Sequence, residues 1–97
     1  MAQSELEHAI LEKLSTVIDP ETGTDVIRMR LVQNLSVDEN GKAAFTFRPS
    51  SPLCPLAVTL ALAITDAVRG VPGVTGQDIN VVDYIQADML NKVLKNL

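Results

Sequence analysis

Asn40-Gly41 stands between two runs in which hydrophobic residues alternate, and this dipeptide restricts the fold more than any other feature of the chain. Asn-Gly is the strongest short hairpin signal, because both residues tolerate positive φ. Before it, Ile27, Met29, Leu31, Leu35 and Val37 fall on one face of an extended segment. Arg28, Arg30, Asn34 and Ser36 fall on the other, with Val32 as the apolar exception. After it, Lys42 to Arg48 turns Ala43, Phe45 and Phe47 inward. A period of two marks half-buried strands, so an antiparallel hairpin is predicted from Ile27 to Arg48.

The period is helical on both sides of this hairpin. Leu6, Ala9, Ile10, Leu14 and Val17 share a helix face, predicting a first helix over 5–17. Ser4-Glu5-Leu6-Glu7 reads as its capping box. The helix must end before Pro20, because the residue preceding proline is pushed out of the α region. After a loop, Leu56 to Val68 is apolar nearly all round, and Gly70 follows Arg69 as the expected C′ residue. Such a helix is buried on more than one side. Either the other helices cover it or it makes a dimer or partner contact. Val74 to Val82 reads as a third strand, and Tyr84 to Asn96 as a third helix bearing Ile85, Met89, Leu90, Val93 and Leu94. The prediction is one α+β domain over 1–97, in the order α-β-β-α-β-α. Its simplest assembly is two layers, a three-stranded mixed sheet with helices packed on one face.

Charge and residue usage narrow the function. The net charge is −4, which argues against a general nucleic-acid binder, although Arg28, Arg30 and Arg48 could form a local basic patch. The chain has no apolar run of about 18–20 residues, so no membrane span is expected. The polar, acidic start lacks the marks of a signal peptide. The single cysteine cannot form an internal disulfide, which fits a reducing cytoplasm.

That cysteine, Cys54, is the one chemically distinctive residue. It sits in Pro52-Leu53-Cys54-Pro55, expected at the first turn of the second helix. With Cys54 as N-cap, Pro55 would fill N1; with Ser51 as N-cap, Cys54 would be N3. Either place lies near free backbone N–H groups and favours the thiolate, the form that attacks or binds metal. The competing reading is a small apolar filler in the core. A catalytic cysteine needs a base. The only histidine, His8, lies one step off the apolar stripe of the first helix, as a solvated side chain would, so no enzyme activity is expected. Asp19, Glu21 and Asp25 cluster on one loop, either as a solvated turn bonding local backbone or as metal ligands. One Cys and one His cannot close an iron–sulfur or structural zinc site, which takes about four ligands. A metal or cluster at Cys54 would have to be shared across a dimer, shared with a partner protein, or completed by small thiols.

Taken in order, Asp19-Pro20-Glu21, Leu31-Val32, Asn40-Gly41, Ser50-Ser51-Pro52-Leu53-Cys54-Pro55 and Val71-Pro72-Gly73-Val74 form a pattern over about residues 5 to 85. It resembles the family of small iron–sulfur cluster assembly domains that includes the SufT accessory protein, the PaaD protein and the eukaryotic cytosolic iron–sulfur targeting subunit. The resemblance implies an iron–sulfur cluster assembly domain-like fold and a role in maturing or delivering clusters to other proteins. It implies Cys54 as the reactive or cluster-contacting residue, with Asp19, Pro20, Glu21, Ser51 and Pro55 as the matching motif positions. The implied cofactor is iron or a cluster held in transit. The implied partners are the assembly machinery or recipient apo-proteins, and a homodimer is a further expectation. The sequence departs from the family at Arg30, which stands where the family carries a glycine, and at Ser50 or Ser51, which stands for a threonine. Arg30 could pair with an acidic partner or with the loop of Asp19 to Asp25. The rival reading is an interaction module without metal, using the apolar surface of the second and third helices.

Overall fold

A computed structural model describes residues 3–20, 22–50, 53 and 56–95. The elements are α1 (Gln3–Leu14), β1 (Val32–Val37), β2 (Lys42–Phe47), α2 (Ala57–Arg69), β3 (Gly76–Val81) and α3 (Ala87–Lys95). Their order is the expected one. The strands form one mixed sheet, β1-β2-β3, with β1 antiparallel and β3 parallel to β2. The α+β architecture predicted from the sequence is therefore the observed one.

The helix α1 buries Leu6, Ile10 and Leu14, one residue per turn. It ends three residues earlier than expected. The Ser15 and Thr16 hydroxyls donate to the Glu12 and Lys13 carbonyls at 2.6 Å each, and the Val17 N–H contracts onto the Leu14 carbonyl. Side-chain hydroxyls and a β-branched residue thus tighten the last turn and release the chain. The capping box does not form, since the helix already includes Gln3. Glu7 instead reaches across to β1, where its Oε1 accepts the Val37 N–H at 3.2 Å.

The largest departure from the predicted pattern is the start of β1. Ile27 to Leu31 is not extended. Asp25 Oδ1 accepts the N–H groups of Ile27 and Arg28, and Met29 N–H donates to the Asp25 carbonyl, which winds one helical turn. Arg30 then takes φ 58° and redirects the chain into Val32. A bulge between Gln33 and Ser36, with Asn34 at φ 57°, shifts the strand by one residue. Val32 and Val37 both face the core as a result, although their numbers differ in parity. The apparent exception, Val32, is a core residue.

The hairpin forms where Asn40-Gly41 places it, but only Gly41 uses positive φ, at 85°. Asp38 Oδ1 accepts the N–H groups of Asn40 and Lys42 at 2.9 Å each, and Gly41 N–H donates to the Asp38 carbonyl. A Cβ at Gly41 would collide with the Gly73 carbonyl, so this turn can pack on the 70–75 turn only without a side chain. Ala43, Phe45 and Phe47 are buried as predicted.

The helix α2 buries Ala57, Leu60, Ala61, Ile64, Thr65, Ala67 and Val68. It packs against α1 and the sheet, which accounts for most of its apolar surface within the chain. Gly70 ends it in the right-handed region, at φ −76°, rather than as a left-handed C′ glycine. The helix α3 lies along β3, burying Leu90 and Leu94. It begins at Ala87, because Asp83 takes φ 52° and residues 84–86 form a turn. The opposite sheet face carries half-buried Ala44 and Thr46 and exposed Asp78 and Asn80.

Candidate functional site

Because β2 and β3 are parallel, their carboxyl ends emerge at the same end of the sheet, with Phe47 beside Val81. Open α/β sheets bind ligands at such strand ends. From β2 the chain leaves through Arg48, Pro49 and Ser50; from β3 it leaves through Val82, Asp83, Tyr84 and Ile85. These two exits enclose a groove of about 560 Å³ lined by Arg48, Pro49, Ser50, Leu53, Asp83, Tyr84 and Ile85.

Several bonds fix the groove. The Arg48 N–H donates to the Leu31 carbonyl at 2.7 Å, and the Val82 N–H to the Phe47 carbonyl at 3.1 Å. The Arg48 guanidinium spans the two exits to Asp83, with Nε and Oδ2 3.0 Å apart. Both partners are more than half exposed, so the pair orients the rim and adds little stability. Leu53 and Ile85 are each 70% exposed, an unusual degree for large apolar side chains facing one groove. An exposed apolar rim beside one cation and one anion suits a protein surface better than a small polar molecule.

The chain runs from Leu53 directly into Cys54-Pro55. Ser51, Pro52, Cys54, Pro55 and Glu21 lie outside the described residues. The helix α2 begins at Ala57, with Leu56 as N-cap and no side-chain cap bond. The expected place of Cys54 at the first turn of the second helix falls outside the described residues.

The acidic loop is divided in its tasks. Asp19 is 1% exposed, so it is not part of a solvated turn. Its carbonyl accepts Gly23 N–H at 2.8 Å and its N–H donates to Thr24, closing the 19–24 turn. Pro20 is exposed on that turn. Asp25 caps the following helical turn and approaches Arg28, with Nε and Oδ2 3.7 Å apart. Among the described residues, no group of three or more His, Cys, Asp or Glu is placed to hold a metal. Arg30 makes no ion pair among the described residues; its carbonyl accepts Gln33 Nε2 at 2.8 Å. His8 lies on the exposed face of α1, 3.0 Å from Glu12. Leu53 stood in the Pro52-Leu53-Cys54-Pro55 motif and Arg48 in the candidate basic patch, while Asp83, Tyr84 and Ile85 were not singled out as site residues. The signal that joins them is topological: two parallel strands ending at Phe47 and Val81, with Arg48 and Asp83 just beyond.

Residues 7–81 match the sequence profile of a family described as iron–sulfur cluster assembly protein. The chain belongs to that family. It is 31% identical over 77 residues to the Fe-S protein maturation auxiliary factor YitW of Bacillus subtilis, covering 79% of this chain and 76% of that one. It is 27% identical over 66 residues to the Fe-S protein maturation auxiliary factor SufT of Staphylococcus aureus, covering 68% of this chain and 75% of that one. Among solved structures, a domain of unknown function from Bacillus anthracis superposes with a TM-score of 0.76 at 27% identity, covering 98% of this chain and 95% of that one. The resemblance drawn from the motifs is thus a family membership, and the fold it implied is the fold observed. The backbone at Arg30 is left-handed, a conformation that glycine adopts without strain.

Proposed function

We propose that this chain is a non-enzymatic accessory or carrier protein in iron–sulfur cluster assembly or delivery, and that Cys54 contacts iron or a cluster in transit. The observation that carries the reading is the groove at the parallel strand ends. Leu53 in its lining precedes Cys54 in the sequence, and its apolar rim, Leu53 and Ile85, is exposed as a protein-docking edge would be. The cluster is cargo on this reading. One cysteine and one histidine per chain leave most of the roughly four ligand positions to other molecules, which suits release to a recipient apo-protein. The assembly machinery, an apo-protein or a second copy would supply the rest. Among the described residues no helix is long and apolar enough to cross a membrane, and we place the protein in the cytoplasm, where a lone thiol stays reduced.

Anaerobic incubation with ferrous iron and sulfide, followed by desalting, tests this. Wild type should retain thiolate-to-iron absorption, and Cys54→Ser should not, while both keep the same circular dichroism and melting temperature. Equal iron in both proteins, or iron in neither, would contradict the role given to Cys54. An unfolded Cys54→Ser would make it a core residue instead.

A second reading, an interaction module without metal, draws on α3. Ile85, Met89 and Val93 recur every four residues and stand 70%, 48% and 43% exposed. The matching surface proposed for α2 is mostly buried by α1 and the sheet, so this reading rests on α3 and the turn that leads into it.

A further inference from the structure

The ends of α2 and α3 meet the amino end of β3, and short bonds hold each helix to the strand. Asn91 of α3 closes the strand edge at Val81. Its Oδ1 accepts the Val81 N–H at 2.8 Å and its Nδ2 donates to the Val81 carbonyl at 3.2 Å. Leu94, three residues further along α3, is buried in the core. Gln77 ties β3 to α2, its Nε2 donating to the Thr65 carbonyl at 2.9 Å. Lys42 of β2 pairs in register with Gly76, and its stem lies over that glycine, Cγ 3.9 Å from where a Cβ would stand. The lysine therefore crosses the start of β3 unobstructed.

These elements border a second groove of about 560 Å³, lined by Lys42, Arg69 and Lys95 against a single carboxylate, Asp78. All three cations are exposed, and none is in an ion pair among the described residues. A chain with net charge −4 has thus brought three of its eight lysines and arginines to one groove. Arg69 and Lys95 stand in the last turns of α2 and α3, where cations offset the negative end of the helix dipole. Lys42 stands on a strand, so that reason does not extend to it. The same helix ends disfavour a compact phosphate, which is bound at helix amino ends. Carboxylates spaced along a chain can instead meet the three cations one by one.

We propose that this groove docks an acidic segment of a partner protein, whose carboxylate side chains are held by Lys42, Arg69 and Lys95. The contacts run from side chain to side chain and leave the sheet edge covered by α3. The rest of a chain with net charge −4 repels an acidic surface, so one cationic groove sets where such a partner lands and how it is oriented. Exposed charge pairs are weak singly, so the groove steers and orients the partner without holding it tightly. It is separate from the groove at Arg48 and Ile85 and works without iron, so its test does not depend on Cys54.

The test titrates acetyl-hexaglutamate amide into the whole isotope-labelled chain without metal, followed by backbone amide shifts in NMR. Saturable shifts are expected at Lys42, Arg69, Gly76 and Lys95, with a Kd of about 0.1–1 mM at low salt. Raising the salt to about 0.3 M should weaken binding about fivefold or more. Arg69→Glu with Lys95→Glu should weaken it about tenfold or more, while Arg69→Lys with Lys95→Arg, or Arg28→Glu, should leave it within about twofold. A hexalysine peptide should not bind. Shifts absent up to about 5 mM peptide, centred on Arg28 and Arg30, or unchanged by the charge reversal would overturn the proposal. So would inorganic triphosphate binding at the same residues about tenfold more tightly, which would make the groove a site for a small phosphorylated ligand.

Discussion

Arg30 shows how much one residue's backbone decides. At φ 58° it occupies the left-handed region, which costs a side-chain-bearing residue about 1–2 kcal/mol. Glycine adopts it freely but loses more entropy on folding, by about 0.5–1 kcal/mol. Arg30→Gly should therefore raise stability by up to about 1 kcal/mol, read as a higher urea midpoint at unchanged slope. A lower midpoint would mean the arginine side chain makes a stabilising contact that outweighs the strain. Asn91 is the complementary case. Its two bonds to Val81 replace a missing strand, so Asn91→Ala should cost about 2 kcal/mol, whereas a surface asparagine would cost almost nothing. Nothing in the sequence marked Asn91, because its partner is the backbone of a residue ten positions earlier. Arg30 was legible as a departure from a family pattern, but its cause, a backbone angle, was not.

At the scale of elements, the period-two and helical patterns located all three strands and all three helices. They missed boundaries for identifiable reasons. Pattern reading extended β1 back to Ile27, because Ile27, Met29 and Leu31 alternate; Asp25 captured the backbone there first and wound a turn. It extended α1 to Val17, where the Ser15 and Thr16 hydroxyls compete for the helix carbonyls. It began α2 near Cys54, where prolines at 52 and 55 flank the cysteine, yet the helix starts at Ala57. The central strand β2 was read to within one residue, ending at Phe47 rather than Arg48, since its alternation is reinforced by a neighbour on each side. Parallel pairing of β2 and β3 then does what no motif announced: it brings Arg48 and Asp83 to 3.0 Å.

For the whole molecule, the sheet separates two surfaces by chemistry. The carboxyl ends of β2 and β3 carry the apolar rim of Leu53 and Ile85. The opposite end of β3 carries a groove lined by Lys42, Arg69 and Lys95. On the proposed reading, the family membership gives the cargo its identity as an iron–sulfur cluster. The family motif made that reading accessible from the sequence; the second surface was not, since its cations are spread over Lys42, Arg69 and Lys95 and converge only in the fold.

The central claim is that the Cys54 sulfur itself meets the cluster. It is tested most directly by the rate at which iodoacetamide alkylates that one thiol, followed by mass spectrometry under anaerobic conditions. With ferrous iron and sulfide present, alkylation should slow about tenfold or more, because a metal-bound thiolate is no longer a free nucleophile, and a chelator should restore the original rate. An unchanged rate in protein that retains iron would place the iron elsewhere and contradict the account.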